Sequence, residues 1–500
     1  MGGASQAKQA DKASSDETAS TPAANGSMPG PSGAPLAPLA AWTPDSWRSR
    51  PAAHMPAYPD AARLESALRE LASLPPLVTS WEIERLKALL AGAQRGERFV
   101  LQGGDCAESL DECTSEAIAS KLKILLQMSL VLVHGIRTPV VRIGRFAGQY
   151  AKPRSSPTET RVVDGASVTL PSYFGDQVNR AAFAPESRTP DPGLMVLAHQ
   201  RAALTLNFVR SLIDAGFADL HHPEYWDLSF FSHASLTPER RGEYEAMART
   251  LADALKFMEA LGEKAVDDLQ RVEFFTSHEG LNLLAEQAVT RTVPRRPGHY
   301  NLSTHMPWIG ERTRALDGAH VEYFRGIANP IGVKIGATAS GGEVIDLVRL
   351  LNPAREAGKV VLITRFGAGK AAAGLAPLLA QVHGAAGDAG PAGIGPVLWM
   401  CDPMHANGLT TPAGVKTRSF DAILAELHET IDAHGAAGTR LGGVHFELTG
   451  EDVTECIGGA SGVTEDTLHV NYASACDPRL NYAQSLELAF LLAGRLAGRG

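Results

Sequence analysis

The chain is poor in the features that mark several large protein classes. It has five cysteines in 500 residues, Cys106, Cys113, Cys401, Cys456 and Cys476. So sparse and odd a set does not make a disulfide framework, and it points to a reducing compartment. No CxxC or HxxxH pair appears, so no closely spaced metal knuckle is present. No uninterrupted apolar run approaches the roughly 20 residues needed to cross a bilayer. Positive charge is not in excess. The net charge of -9 and a pI near 6.0 argue against a general nucleic-acid binder, whose affinity needs a basic face. The first residues show no charged start followed by an apolar core, and Gln6 stands where myristoylation wants Ser or Thr. A cytoplasmic protein that spans no membrane is expected.

What the chain does contain is ordered in blocks. Residues 1–41 are mostly Ala, Ser, Pro, Gly and small polar residues, which predicts a disordered tail. Asp11, Asp16 and Glu17, with no Arg, disfavour a plastid-type transit peptide. From Trp42 to residue 500 the composition is globular. Ala61–Leu74 and Thr79–Ala93 carry helical spacing. Short apolar runs then recur, each stopped by Gly or a polar residue. They are Phe99–Gln102, Val140–Ile143, Val272–Phe275, Tyr300–Ser303, Ile331–Ile335, Val360–Thr364, Val397–Met400 and Gly443–Phe446. Several lack alternation and read as strands buried on both faces. Helical patterns such as Ser115–His134, Glu343–Leu351, Gly374–His383 and Phe420–His434 fall between them. The pattern predicts an α/β fold, a (β/α)8 TIM barrel with an N-terminal extension. About 130 residues separate the second run from the third, too many for one crossover. They hold the loop Lys152–Asn179 and helical patterns at Leu194–Ala215 and Pro238–Leu261, so accessory helices are expected around 194–262.

Barrel chemistry sits at the C-terminal ends of the strands, and the unusual residues cluster there. Cys106 follows the first run, His405 follows Asp402-Pro403, Glu447 ends the last run and Asp477 lies in ACDPRLN. Thiolate, imidazole and two carboxylates suit a divalent ion such as manganese, cobalt, iron or zinc. A single Cys or His in a strand turn is more often structural. The shared face is what favours a metal site. A second set is cationic: Arg145, Lys152, Arg154, Arg312, Lys334 and Arg365, with Ser155 beside them. An acidic chain that places Arg and Lys at several strand ends concentrates charge for an anionic substrate, since Arg forks match carboxylate and phosphate oxygens. FGAGK (Phe366–Lys370) resembles a phosphate loop, but Thr364 and Ala371 stand where the motif needs Gly and Ser or Thr. No nucleotide site is expected there. Cys113, Cys401 and Cys456 read as small buried residues, and Cys476 as packing beside Asp477.

The blocks LQGGDCAE, GRFAGQYAKPRS, WIGERTRALDGAHVEYFRGIANPIGVKIG, CDPMH, ELTGEDVTECIGG and CDPRLNYAQSLELAF closely resemble the class II (plant-like) 3-deoxy-D-arabino-heptulosonate 7-phosphate (DAHP) synthases. The likeness runs from about Trp42 to the C-terminus. It implies a metal-dependent barrel that condenses phosphoenolpyruvate with erythrose 4-phosphate and releases phosphate, the first step of the shikimate pathway. On matching positions it implies Cys106, His405, Glu447 and Asp477 as metal ligands, with manganese or cobalt favoured. It implies Arg145, Glu311, Lys334 and Arg365 around phosphoenolpyruvate, and Arg154, Ser155 and Arg312 around phosphate. Lys334 or His405 would move protons and Glu311 would orient a water. Family members are homo-oligomers, and in some the extra helices bind aromatic amino acids as inhibitors. Leu194–Ala215 resembles part of such a helix pair.

Three positions depart from the family pattern: Ala406, Gly408 and Phe174. They leave open a paralogue that serves secondary metabolism with a modified, for example amino, aldose phosphate. A catalytically weak regulatory barrel is a third reading, and the intact ligand and cation sets count against it.

Overall fold

The structure, a computed structural model, describes residues 41–214 and 272–498, apart from 389, 391 and 392, with 242, 246 and 249 alone between the two segments. The expected tail lies outside the described residues up to residue 40. Nearly all of the expected helix Pro238–Leu261 lies outside them too.

The apolar runs become eight parallel strands in one curled sheet. They are β1 (Phe99–Gly104), β2 (Val140–Arg145), β3 (Phe274–Thr276), β4 (Trp308–Ile309), β5 (Ile331–Gly336), β6 (Val360–Arg365), β7 (Leu398–Cys401) and β8 (Gly443–Glu447). Their order is β3-β2-β1-β8-β7-β6-β5-β4, and every pairing is parallel. Just beyond β3, Glu279 forms a parallel bridge with Trp308 of β4, the opposite edge. Every residue of β1, β5, β7 and β8 is buried, which is why these runs show no polar alternation.

Seven runs lie where the sequence puts them. The fourth does not. Tyr300–Ser303 overlaps an antiparallel hairpin, Thr290–Val293 with Arg296–Asn301, and the sheet strand is Trp308–Ile309. Tyr300 is buried and its run has the same apolar look. A two-residue strand between Pro307 and Gly310 carries too little pattern to compete.

The main helices mostly begin at polar caps that satisfy otherwise unpaired amides. They are α1 (Ala61–Ser73), α2 (Ser80–Gln94), α3 (Ser115–Ile136), α4 (Gly193–Asp214), α5 (Leu283–Ala288), α6 (Ala319–Phe324), α7 (Gly341–Leu351), α8 (Ala371–Gly387), α9 (Phe420–Ala436) and α10 (Tyr482–Leu496). Thr79 and Glu82 form a capping box on α2, and Asn481 and Gln484 form one on α10. Thr114, Ser340 and Ser419 cap α3, α7 and α9. Leu86, Leu89 and Leu90 of α2 share a core with Val100, Val141, Val361 and Leu398 near the strand starts. Fully burying each such leucine contributes about 1.5–3 kcal/mol. α1 packs its Ala67 and Leu71 against Met195 of α4 and Ala285 of α5. Among the described helices, α3 alone is long and apolar enough to cross a membrane, and it is mostly buried inside the protein. It lies against α10. The loop expected over Lys152–Asn179 contains a hairpin, Thr158–Val163 with Ala166–Pro171.

Candidate active site

Strand register assembles the site. Gly104, the last residue of β1, stands beside Arg145 of β2 and Glu447 of β8. Its φ of +142° suits glycine, and a Cβ there would sit 2.9 Å from the Arg145 carbonyl oxygen. The three strand ends can therefore close up. Beyond them opens a cavity of about 630 Å3. It is lined by Arg145, Lys152, Arg154, Ser155, Glu311, Arg312, Lys334, Arg365, His405 and Asp477. Ten residues read from separate motifs thus meet in one cleft, and the buried Cys106 and Glu447 touch its lining residues Lys152 and His405.

One ligand atom each from Cys106, Glu447 and Asp477 fall within 4.8 Å of one another. His405 joins them, its Nε2 standing 2.9 Å from Glu447 Oε1. Three of the four residues expected to ligate a metal therefore cluster, and His405 adjoins them through Glu447. The Lys152 ammonium stands among them, 2.8 Å from Cys106 Sγ, 3.3 Å from Glu447 Oε1 and 3.0 Å from Asp477 Oδ2. A monocation held by a thiol and two carboxylates marks a place where positive charge is favoured. Burial, a hydrogen bond with Cys476 and the charge of Glu447 push the Cys106 thiol well up, against the pull of Lys152. Only a strong local cation keeps such a sulfur as thiolate. Burial would raise the Glu447 carboxyl, but His405, Lys152, Arg418 and Arg145 outweigh it and hold it well below the usual range. Lys152 is the main reason that Asp477 is also held down. The donor set fits a divalent ion.

Arg145, Lys152 and Lys334 are built into the interior, whereas Arg312 is exposed. Arg145 is 1% exposed and donates to Glu447 Oε1 at 2.9 Å and to His445 Nε2 at 2.7 Å. Its guanidinium lies 5.2 Å from the Trp308 ring centre. Arg365 donates to the His405 carbonyl at 2.7 Å. No described protein group accepts from the buried Nε of either arginine. Lys334 is buried against Asp402. Burial lowers its pKa to about 8, with Asp402 opposing. Arg312 reaches Ser155 Oγ at 3.2 Å, nearer the mouth. Glu311 accepts from the Gly336 amide at 2.6 Å and from Arg314 at 3.0 Å, which ties it to the end of β5 two residues beyond Lys334.

Three residues of the site were not singled out from sequence. Asp402 was read with Pro403 as a strand stop, yet it touches both Lys334 and His405. Arg418 sits 2.8 Å from Glu447 Oε2, on a short hairpin, Gly408–Thr410 with Lys416–Arg418, that no pattern announced. His445 looks like interior filling of β8. Its place two residues before Glu447, on the same face of a strand, was the available signal. The FGAGK loop is not a phosphate cradle. Glu426 accepts from the Phe366 amide at 2.6 Å, Asn407 from that of Ala368 at 3.0 Å, and Glu429 from those of Gly369 at 2.7 Å and Ala371 at 3.1 Å. Its amides are filled by the protein's own oxygens.

Comparison with known proteins agrees with this geometry. A family model described as the class-II DAHP synthetase family matches residues 42–493. A Neurospora crassa protein named phospho-2-dehydro-3-deoxyheptonate aldolase is 48% identical over 466 residues, covering 90% of this chain and 94% of that protein. A Streptomyces coelicolor protein of the same name is 45% identical over 449 residues, 90% of this chain and 96% of its own length. A third, from Mycolicibacterium smegmatis, is 42% identical over 462 residues, 90% of this chain and 94% of its own. With a family match across nearly the whole globular part and relatives aligned almost end to end, the chain belongs to the class-II DAHP synthetase family.

Proposed function

We infer that this enzyme is a DAHP synthase. It joins phosphoenolpyruvate to erythrose 4-phosphate, takes up water and releases inorganic phosphate, the first step of the shikimate pathway. The observation that carries the reading is the cleft in which three clustered metal-type donors, with His405 beside Glu447, adjoin a set of cations of which Arg145, Lys152 and Lys334 are buried.

Arg145 and Arg365, each with a buried unpartnered Nε, take the phosphate and carboxylate of phosphoenolpyruvate with Lys334. Arg154, Ser155 and Arg312, nearer the mouth, hold the phosphate of the aldose. This fixes C3 of phosphoenolpyruvate against the aldehyde carbon and removes much of the entropic cost of a two-substrate step. Cys106, His405, Glu447 and Asp477 would hold a divalent ion, manganese or cobalt by this reading, which would supply Lewis-acid polarisation of the aldehyde oxygen. As the carbon–carbon bond forms, Lys334 delivers a proton toward that oxygen. Its pKa of about 8 lets it both give and regain a proton near neutral pH. Positive character at C2 is captured by a water that Glu311 orients, and phosphate leaves from C2.

We also read the Glu279–Trp308 bridge as closure of a (β/α)8 barrel, with residues 42–500 as one synthase domain. A cytoplasmic homo-oligomer with aromatic amino acids as inhibitors belongs to the same proposal. Purified protein with manganese should form phosphate and the seven-carbon product in equal amounts. A chelator should stop both, and manganese or cobalt should restore them. Turnover that ignores the chelator overturns the metal assignment. Manganese binding without turnover moves the question to the acceptor, with an amino aldose phosphate as the next substrate and Ala406, Gly408 and Phe174 as the suspects.

A further inference from the structure

Asp402 follows β7 directly and is fully buried, yet the proposed chemistry gives it no task. Its oxygens are fully used. Oδ1 accepts the amides of Met404 at 3.0 Å and His405 at 3.2 Å. Oδ2 receives His405 Nδ1 at 2.7 Å and also the Lys334 ammonium. Two backbone N–H groups and the Lys334 ammonium all donate to this carboxylate, so it acts as an acceptor on both oxygens. Nδ1 of His405 therefore carries a hydrogen, which leaves Nε2 as the nitrogen that faces Glu447 Oε1 at 2.9 Å. A lone pair and a carboxylate oxygen so close need a cation or proton between them. One oxygen of Asp402 thus serves two groups from different strands, the β5 lysine and the imidazole of the donor set.

We propose that Asp402 is a positioning residue that couples the metal site to Lys334 through a single shared oxygen. It fixes the tautomer and ring plane in which His405 offers Nε2 to a metal, and it is the counter-ion that holds Lys334 against the substrate. The two halves then cannot be adjusted independently. Charge drawn to Lys334 is charge withheld from His405. This rests on the roles proposed above for His405 and Lys334.

The test is manganese affinity of the metal-free full chain, read without substrates from the spin-resonance signal of free Mn2+. Asp402→Asn should weaken binding about 10- to 100-fold, the usual effect of losing the partner that orients a metal-bound histidine. Asp402→Glu should recover part of it. Lys334→Met should tighten binding at least about threefold, because the whole charge of Oδ2 then falls to His405. At manganese levels that saturate Asp402→Asn, its kcat should stay at least about tenfold down, because Lys334 has lost its counter-ion. Affinity of folded Asp402→Asn within twofold of the parent overturns the proposal. If that variant does not fold, Lys334→Met decides alone, and unchanged affinity there overturns the coupling. A parent chain that binds no manganese overturns it as well. If the affinities shift as stated but phosphoenolpyruvate and erythrose 4-phosphate give no product, the functional reading falls and the coupling stands.

Discussion

Two buried lysines sit at opposite ends of the sheet, and they make an instructive pair. Lys334 lies near the end of β5, beside Asp402 and open to the cavity. Lys359 lies just before β6, its ammonium 2.5 Å from the carbonyl oxygens of Ile327 and Asn329. Burial pushes both down, to about 8 for Lys334 and about 7 for Lys359. By titration alone they are alike. What separates them is what they face: one faces a space bounded by arginines and a donor cluster, the other a closed pair of peptide carbonyls. A displaced pKa marks burial. A displaced pKa in a cavity with convergent partners marks chemistry. This is also the usual division of labour of such sheets, reaction at the strand C-termini and stability at the N-termini.

That contrast breaks most sharply under substitution. Lys334→Ala should lower kcat about a thousandfold while manganese binding changes far less; equal losses in both would sink the role given to Lys334. Lys359→Met should leave kcat within about twofold, and a large loss there would erase the distinction between the two ends. Next in size is the donor cluster. Cys106→Ser should weaken manganese binding by more than about 100-fold, beyond the usual cost of an outer-shell change, as read by calorimetry on the metal-free chain.

The far end should show itself in stability rather than rate. An unfolded lysine titrates near about 10.4, whereas folded Lys359 titrates at about 7. Between those values the unfolded chain holds a proton that the folded chain lacks. Stability from this group therefore rises with pH across that window, by at most about 1.4 kcal/mol per pH unit, and is flat below it. Comparing urea unfolding of the parent and Lys359→Met from pH 7 to 10 isolates the slope, which the variant should lose. Smallest of all, Lys87→Met removes a like charge that helps depress Lys359. The lower edge of the window should move up by less than about one unit; a downward move would contradict the cause assigned here.

The ends also differ in how legible they were. Cys106, Glu447 and Asp477 could be found because each closes an apolar run or sits in a stiff turn, and strand ends share a face. Asp402 could not, since Asp before Pro is an ordinary way to stop a strand, and its partner Lys334 comes from a separate motif. Arg418 depends on a three-residue strand with no periodicity. β4 failed for the same reason: two residues cannot carry a pattern, and the neighbouring hairpin imitates one. Sequence periodicity records burial along one element. Contacts that cross between elements leave their trace only where a residue is costly enough to need a partner.

The pairing of β1 with β8 also bears on how the protein is made. Cys106 and Asp477 meet although 371 positions separate them. A chain growing on the ribosome displays Cys106 early and His405 much later. Asp477 follows later still, and β8 must dock on β1 before Glu447 can meet Cys106. The proposed metal donors therefore come together only once distant parts of the chain have folded against each other.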